Sequence, residues 1–298
     1  MKERGLGLVA MVMAGFSALR RYPGLALAIY LVQLGASALV GIAVTALVGA
    51  ALGAYPILDR AAGGDPVALA GVIAEHPMIV AGAGAMVMVA TVAYGLVSWF
   101  LYGGLIAVYR DEPRGRRVVA ETFGRGGAAT YLAYARLFAL SAVGYVAVAI
   151  VFGVSMSAAG PRLFAALTTG EVIAAVLLGV GPAAVVLAVL WLIIDYARID
   201  ISRGAGVLRA AAHAVRMVFT SWRPAAFALL YYGAFAAVTA AAWWLFDQSV
   251  ATAAGFAAII AGRQIVSGVR FCARLVLIAG EVAYAEEQLP LAPAQTDD

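Results

Sequence analysis

The sequence predicts an all-α polytopic membrane protein, with six transmembrane helices in three tandem helical hairpins and cytoplasmic amphipathic helices beside them. Three observations lead there. Of 298 residues, 64% are hydrophobic and 12% charged, against roughly 45–50% and 25% in soluble domains. The apolar residues form long runs rather than one periodic face, which is the pattern of membrane spans and not of a soluble core. The basic residues collect between alternate runs, so the pI near 9.3 reflects membrane topology and not a nucleic-acid surface.

The six spans fall at about 24–52, 78–108, 129–154, 172–198, 224–246 and 263–285. One side of the membrane receives fourteen lysines and arginines, among them Lys2, Arg20, Arg21, Arg110, Arg114, Arg116, Arg117, Arg125, Arg198, Arg203 and Arg223. The other side receives Arg60 and Arg162, with Arg263 at its boundary. That asymmetry places both termini on the cytoplasmic side of the membrane. Trp99, Trp191, Trp222, Trp243 and Trp244 lie toward span ends, where indoles favour the interface.

Ahead of the first span, Leu6, Val9, Met13 and Phe16 repeat at helical spacing. The run ends in Arg20-Arg21-Tyr22-Pro23 without a small-residue cleavage site, so an interfacial helix fits better than a signal peptide. Similar segments precede the third span, at Phe123-Gly124-Arg125, and the fifth, at Phe219-Thr220-Ser221-Trp222-Arg223-Pro224. These recurrences divide a single domain over 1–285 into pseudo-repeats of about 1–109, 110–202 and 203–285. Short external helices are expected at about 65–75, 161–170 and 249–262, and the acidic tail 286–298 reads as disordered.

The third amphipathic segment is the clearest. Leu208, Ala212, Val215, Phe219 and Trp222 share one face, while Arg209, His213 and Arg216 share another and form an interfacial basic group. In the second segment, Gly124, Gly126 and Gly127 weaken a helix and suggest a hinge into the third span. Gly179-Val180-Gly181-Pro182 is expected to break or kink the fourth span. Glycines at 35, 41, 49 and 53 in the first span, and at 82, 84, 95, 103 and 104 in the second, allow close helix contact, within the chain or between copies and partner chains.

The sixth span carries charge where hydrocarbon disfavours it. Arg263, Ser267, Arg270, Arg274 and Glu281 lie at offsets 0, 4, 7, 11 and 18, all within about 40° of the direction of Arg263 at 100° per residue. A central arginine costs about 2.5–3.5 kcal/mol even on the lenient insertion scale. Arg136 of the third span, Asp195 of the fourth and Glu281 lie at a similar depth to Arg274 and are its expected charge partners. Three cations (Arg136, Arg270, Arg274) then face two anions (Asp195, Glu281), leaving Arg270 in surplus. Three readings stay open: charges that lock helices together, an anion or lipid site at Arg263, Ser267, Arg270 and Arg274, or a proton relay through the two carboxyls.

Enzyme signatures are absent. His76 and His213 fall on opposite sides of the membrane, no zinc ligand set arises from Cys272 and two histidines, and no nucleophile motif appears. No metal, cofactor or nucleic-acid partner is expected. The run Phe16 to Tyr30 and the pattern Gln264…Arg270…Arg274…Glu281…Tyr284 resemble six-span bacterial membrane families. Among these is the membrane domain attached to some glycerophosphodiester phosphodiesterases. The resemblance implies a six-helix inner-membrane bundle, without the hydrolase domain and its activity. The chain therefore reads as a non-enzymatic membrane protein with a structural or accessory role, engaging anionic lipid through its arginine stripe. A carrier of an anionic or lipid-like substrate is the alternative.

Overall fold

The computed structural model describes residues 7–53, 75–165, 168–247 and 253–288. Among them all regular structure is helical: α1 (Leu8–Arg21), α2 (Pro23–Leu52), α3 (Pro77–Asp111), α4 (Arg116–Ala165), α5 (Thr169–Ser202), α6 (Val207–Thr220), α7 (Trp222–Asp247) and α8 (Ala253–Gln288). Five of these, α2, α3, α4, α5 and α7, are long and apolar enough to cross a membrane. In hydrocarbon a helix is the one open segment that satisfies every backbone N–H and C=O internally, and these sequences offer water nothing else. Side chains such as Ile42, Val143 and Leu229 stand exposed on them, at 68%, 75% and 74%. Such faces suit lipid and not water, as in a multi-pass membrane protein. α8 has the length, 36 residues, but carries the charged stripe.

Proline decides where the surface helices stop. α1 and α6 each have 14 residues, and each gives way to an apolar helix after one non-helical residue, Tyr22 or Ser221. Pro23 disfavours the helical region at Tyr22, and Pro224 would drive its ring into the carbonyl of Thr220, the last residue of α6. No proline stands in the corresponding stretch of α4, and that helix runs unbroken for 50 residues. The expected hinge at Gly124–Gly127 and the separate second surface helix are therefore both corrected.

The glycines of that stretch have another use. A Cβ at Gly126 would strike Ala107, and one at Gly127 would lie 2.7 Å from the Phe100 carbonyl oxygen. A Cβ at Gly104 would come 2.6 Å from the carbonyl oxygen of Phe123. Helix propensity lost at about 1 kcal/mol per glycine is exchanged for a close crossing of α4 over the last turns of α3.

α5 is likewise continuous through Pro182, so the expected break in the fourth span is corrected. Gly179 instead meets Met156 and Ala159 of α4, while Leu190 packs onto Gly144 and Tyr134 bonds to Arg198. Residue numbers fall along α4 as they rise along α5, so the two form an antiparallel hairpin. The capping box of Thr168 and Glu171 starts its second arm. Phe227 against Gly280 and Phe235 against Arg270 pair α7 with α8 in the same sense.

Two of the three expected external helices are not separate elements where they are described. Residues 161–165 complete α4, residues 253–262 begin α8, and 65–74 lie outside the described residues. α8 also extends to Gln288, past the expected start of the tail, because Arg203 holds the Ala285 carbonyl at 3.1 Å and the Glu286 carboxylate at 3.3 Å.

Two compact units are present. Residues 24–98 form one, in which Gly82 touches Leu47 and an apolar groove of about 460 Å³ runs between Leu39, Val40, Ala43 and Ala85, Met86, Val89. Of the expected packing glycines, 35, 41, 49, 84 and 95 face no side chain within 4 Å. Residues 1–23 with 99–298 form the other unit. Its core lies at one end: Leu105–Tyr109 of α3, Leu192–Ile201 of α5 and Leu275–Ala285 of α8 are mostly buried there. α1 and α6 cover that end through Met11 and Gly15, and through Ala210, Ala214 and Met217.

α5 ends in a Schellman turn, with the N–H of Ala205 bonded to Asp200 O and that of Gly204 to Ile201 O. Gly204 sits at φ +91°, where a Cβ is strained. Gly204→Ala is expected to cost about 1 kcal/mol, read as a lower unfolding midpoint in detergent.

Candidate functional site

Within the larger unit, the Trp99–Asp111 part of α3 runs parallel to α5 and α8, and the three meet around one group of charges. Tyr102 with Arg198 and Arg110 with the Ser202 carbonyl relate α3 to α5. Asp195 with Arg274 and Arg203 with Glu286 relate α5 to α8. At the meeting point the Asp195 carboxylate accepts from both arginines. Arg274 Nη2 lies 2.6 Å from Oδ2, and Arg198 Nη1 lies 3.4 Å from Oδ1. Arg198 reaches it because residues three apart share a helix face. Its guanidinium also lies over the rings of Tyr102 and Tyr134, at 4.7 and 5.9 Å, and Tyr102 is 6.0 Å from Arg274. The Tyr134 hydroxyl donates to the Arg198 carbonyl at 3.0 Å.

Toward the core end, Glu281 is 1% exposed, and neither of its carboxyl oxygens has a hydrogen-bond partner among the described residues. The fully buried hydroxyl of Tyr196 is also without one. The Tyr196 ring meets the edge of Tyr284, whose hydroxyl bonds to Ser221 at 3.0 Å. A further layer ties on the surface helices. His213 Nδ1 lies 2.5 Å from the buried Asp200, and the Tyr22 hydroxyl donates to the Pro113 carbonyl at 3.2 Å. Arg21 pairs with Glu112, whose hydrogen bond and charge raise the exposed guanidinium above its ordinary pKa.

The sequence-predicted residues are thus sorted. Arg274 and Asp195 come together as expected. Arg136 does not join them: it is exposed on α4, with no ion pair among the described residues. Two residues from the inward-facing Tyr134, it is turned about 200° away. Glu281 is near the cluster but unbonded. Arg270 stacks on Phe235 at 3.9 Å, with no carboxylate partner among the described residues, and Ser267 stands exposed one turn before it. The side chain of Arg263 lies outside the described residues. Arg209 and Arg216 are exposed on α6, beside a stripe of exposed Leu208, Val215, Phe219 and Trp222. His213 leaves that basic group, because Asp200 draws it inward.

Sequence reasoning missed Arg198, Tyr102, Tyr134 and Asp200. The i, i+3 spacing of Asp195 and Arg198 was the available signal, and a boundary drawn at 198 concealed it. Among the described residues no group of three histidine, cysteine, aspartate or glutamate side chains is arranged to hold a metal ion. Comparison with family models, with curated proteins and with solved structures finds no match.

Proposed function

We propose that this chain is a six-span protein of the bacterial inner membrane, non-enzymatic, with a structural or accessory role that includes holding an anionic lipid at Arg270. Asp195 supports α8 as the sixth span, since it neutralises Arg274 and leaves Arg270 as the one uncompensated charge in the stretch from Ile265 to Ile278. The parallel α3, α5 and α8 are then the returning arms of three hairpins. The end at which they converge carries Arg110, Arg116, Arg117, Arg203, Arg209 and Arg216, which orients that end and both termini toward the cytoplasm. The stripe Leu208–Val215–Phe219–Trp222, with its flanking arginines, suits α6 to the inner headgroup layer.

The observation that carries the lipid reading is the isolation of Arg270. Stacking on Phe235 contributes up to about 2 kcal/mol when desolvated. An arginine at depth costs about 2.5–3.5 kcal/mol or more. The shortfall calls for an anion, and Ser267 adds a hydroxyl donor beside it. A lipid phosphate reached from the bilayer supplies that charge.

Native mass spectrometry of gently solubilised protein tests this. Arg270→Gln is expected to strip anionic-lipid adducts while leaving the fold intact. Arg274→Gln is expected to keep the adducts and lower the unfolding temperature. Identical adducts on wild type and Arg270→Gln overturn the reading, and an adduct with the mass of a soluble metabolite moves the assignment to a carrier.

A further inference from the structure

We propose that Glu281 is a proton-binding site, holding its carboxyl neutral at physiological pH and setting the charge of the arginine cluster beside it. The inference is independent of the lipid reading. It begins with two polar groups in one core that no described residue hydrogen-bonds: the Glu281 carboxyl, 1% exposed, and the Tyr196 hydroxyl, 0% exposed. Buried polar groups in proteins are nearly always paired, so an unpaired carboxyl at this depth calls for a physical account.

The surroundings give one. From α5, Asp195, Tyr196 and Arg198 lie within electrostatic reach of Glu281; from α7, Tyr232; from its own helix, Arg274. α1 contributes no charge there, since the residues it sets against this part of α8 are Met11 and Gly15. Asp195 already accepts from both arginines. With Asp195 ionised and Glu281 neutral the cluster carries one net positive charge, and ionising Glu281 brings it to zero. That second charge has no donor to receive it. A bare carboxylate in such a place costs several kcal/mol, and only closer approach of an arginine would repay this. Arg274 is about two turns closer to the membrane centre and is engaged by Asp195, so the neutral carboxyl is the resting form. Releasing the proton requires Arg274 or Arg198 to divide itself between two carboxylates. One proton, bound or released, therefore decides how tightly α5 and α8 are tied.

A purely structural glutamate predicts something different, since it would be ionised and paired. Infrared spectroscopy of the protein in lipid nanodiscs separates the two. The wild-type protein is expected to show a protonated-carboxyl stretch at neutral pH that declines only in alkaline buffer. Glu281→Gln removes that band. Carbon-13 labelling of glutamate carboxyls moves it in the wild-type protein, so the assignment stands even where the variant fails to fold. Among the described residues Glu281 is the one buried glutamate, so a labelled, protonated band reports on it. Absence of a protonated glutamate band at neutral pH overturns the proposal, as does a band that persists in folded Glu281→Gln or ignores the glutamate label.

Discussion

Asp195→Ala is expected to be among the most damaging single substitutions in the chain. The wild-type carboxylate is 6% exposed and holds Arg274 at 2.6 Å and Arg198 at 3.4 Å. Its removal leaves two guanidinium groups, each less than a quarter exposed, without the carboxylate that both of them bond. Breaking one side of a buried pair in this way costs about 3–5 kcal/mol, because the orphaned charge keeps its desolvation penalty. The unfolding temperature in detergent should fall accordingly, and the loss should grow at low salt, where the two cations repel with less screening. Removing Arg274 as well distinguishes charge from packing. Asp195→Ala/Arg274→Met should be more stable than Asp195→Ala alone, since one unpaired cation is gone and an apolar side chain fills its path. A double mutant that loses the simple sum of both effects would show that the pair contributes no coupling.

The legibility of this arrangement differed between its parts. The five long apolar helices followed from hydropathy alone, and the stops after α1 and α6 followed from Pro23 and Pro224, whose stereochemistry acts locally. The continuity of α4 and α5 did not. Gly124–Gly127 and Gly179–Pro182 are poor helix formers read singly, and only the neighbours Ala107, Phe100, Met156 and Ala159 show why a helix tolerates them there. Propensity is a weak prior against close packing of this kind. Glycines 35, 41, 49, 84 and 95 carried the same sequence signal as Gly103 and Gly104, yet among the described residues nothing lies within 4 Å of a Cβ there. A small residue permits a close approach but does not name the helix that makes it.

The charge cluster shows a related limit. Depth along a helix was readable, and it paired Asp195 with Arg274 correctly. Direction around the helix was not used, and it excludes Arg136, which sits opposite the buried Tyr134. The apolar run ends at Arg198, so hydropathy alone puts that residue in a loop, whereas α5 continues to Ser202 under the Schellman turn at Gly204. Glu281 was expected to meet a cation. Its isolation comes from Asp195 having taken both, a competition that no single helix reveals.

Gly15→Leu is the second large effect, and it tests how the first helix is fastened to the last. A Cβ at Gly15 would overlap the backbone carbonyl oxygen of Val276 and lie 2.7 Å from its Cγ1. Backbone cannot rotate aside, so α1 must lift off α8. The same contact is tight from the other side, where a Cβ at Gly280 would lie 2.8 Å from the Met11 carbonyl oxygen. Overpacking costs about 1–3 kcal/mol, and uncovering the fully buried Met11 adds about 1.5–3 kcal/mol. α1 lies on α8 as α6 lies on α5, so each surface helix covers the core-end turns of a returning helix. Lifting α1 also strains its ties to α3, the Tyr22 bond to Pro113 and the Arg21 pair with Glu112. Hydrogen exchange should then rise across Leu8–Arg21 and along the α8 turns that α1 covers, while α6 keeps its protection on α5. Gly24→Leu is the matched control, because nothing lies within 4 Å of a Cβ there and leucine is the better helix former by about 1 kcal/mol. Wild-type protection of α1 in Gly15→Leu would mean that the helix is held by its ends, through Arg21 and Tyr22, and not by its glycine face.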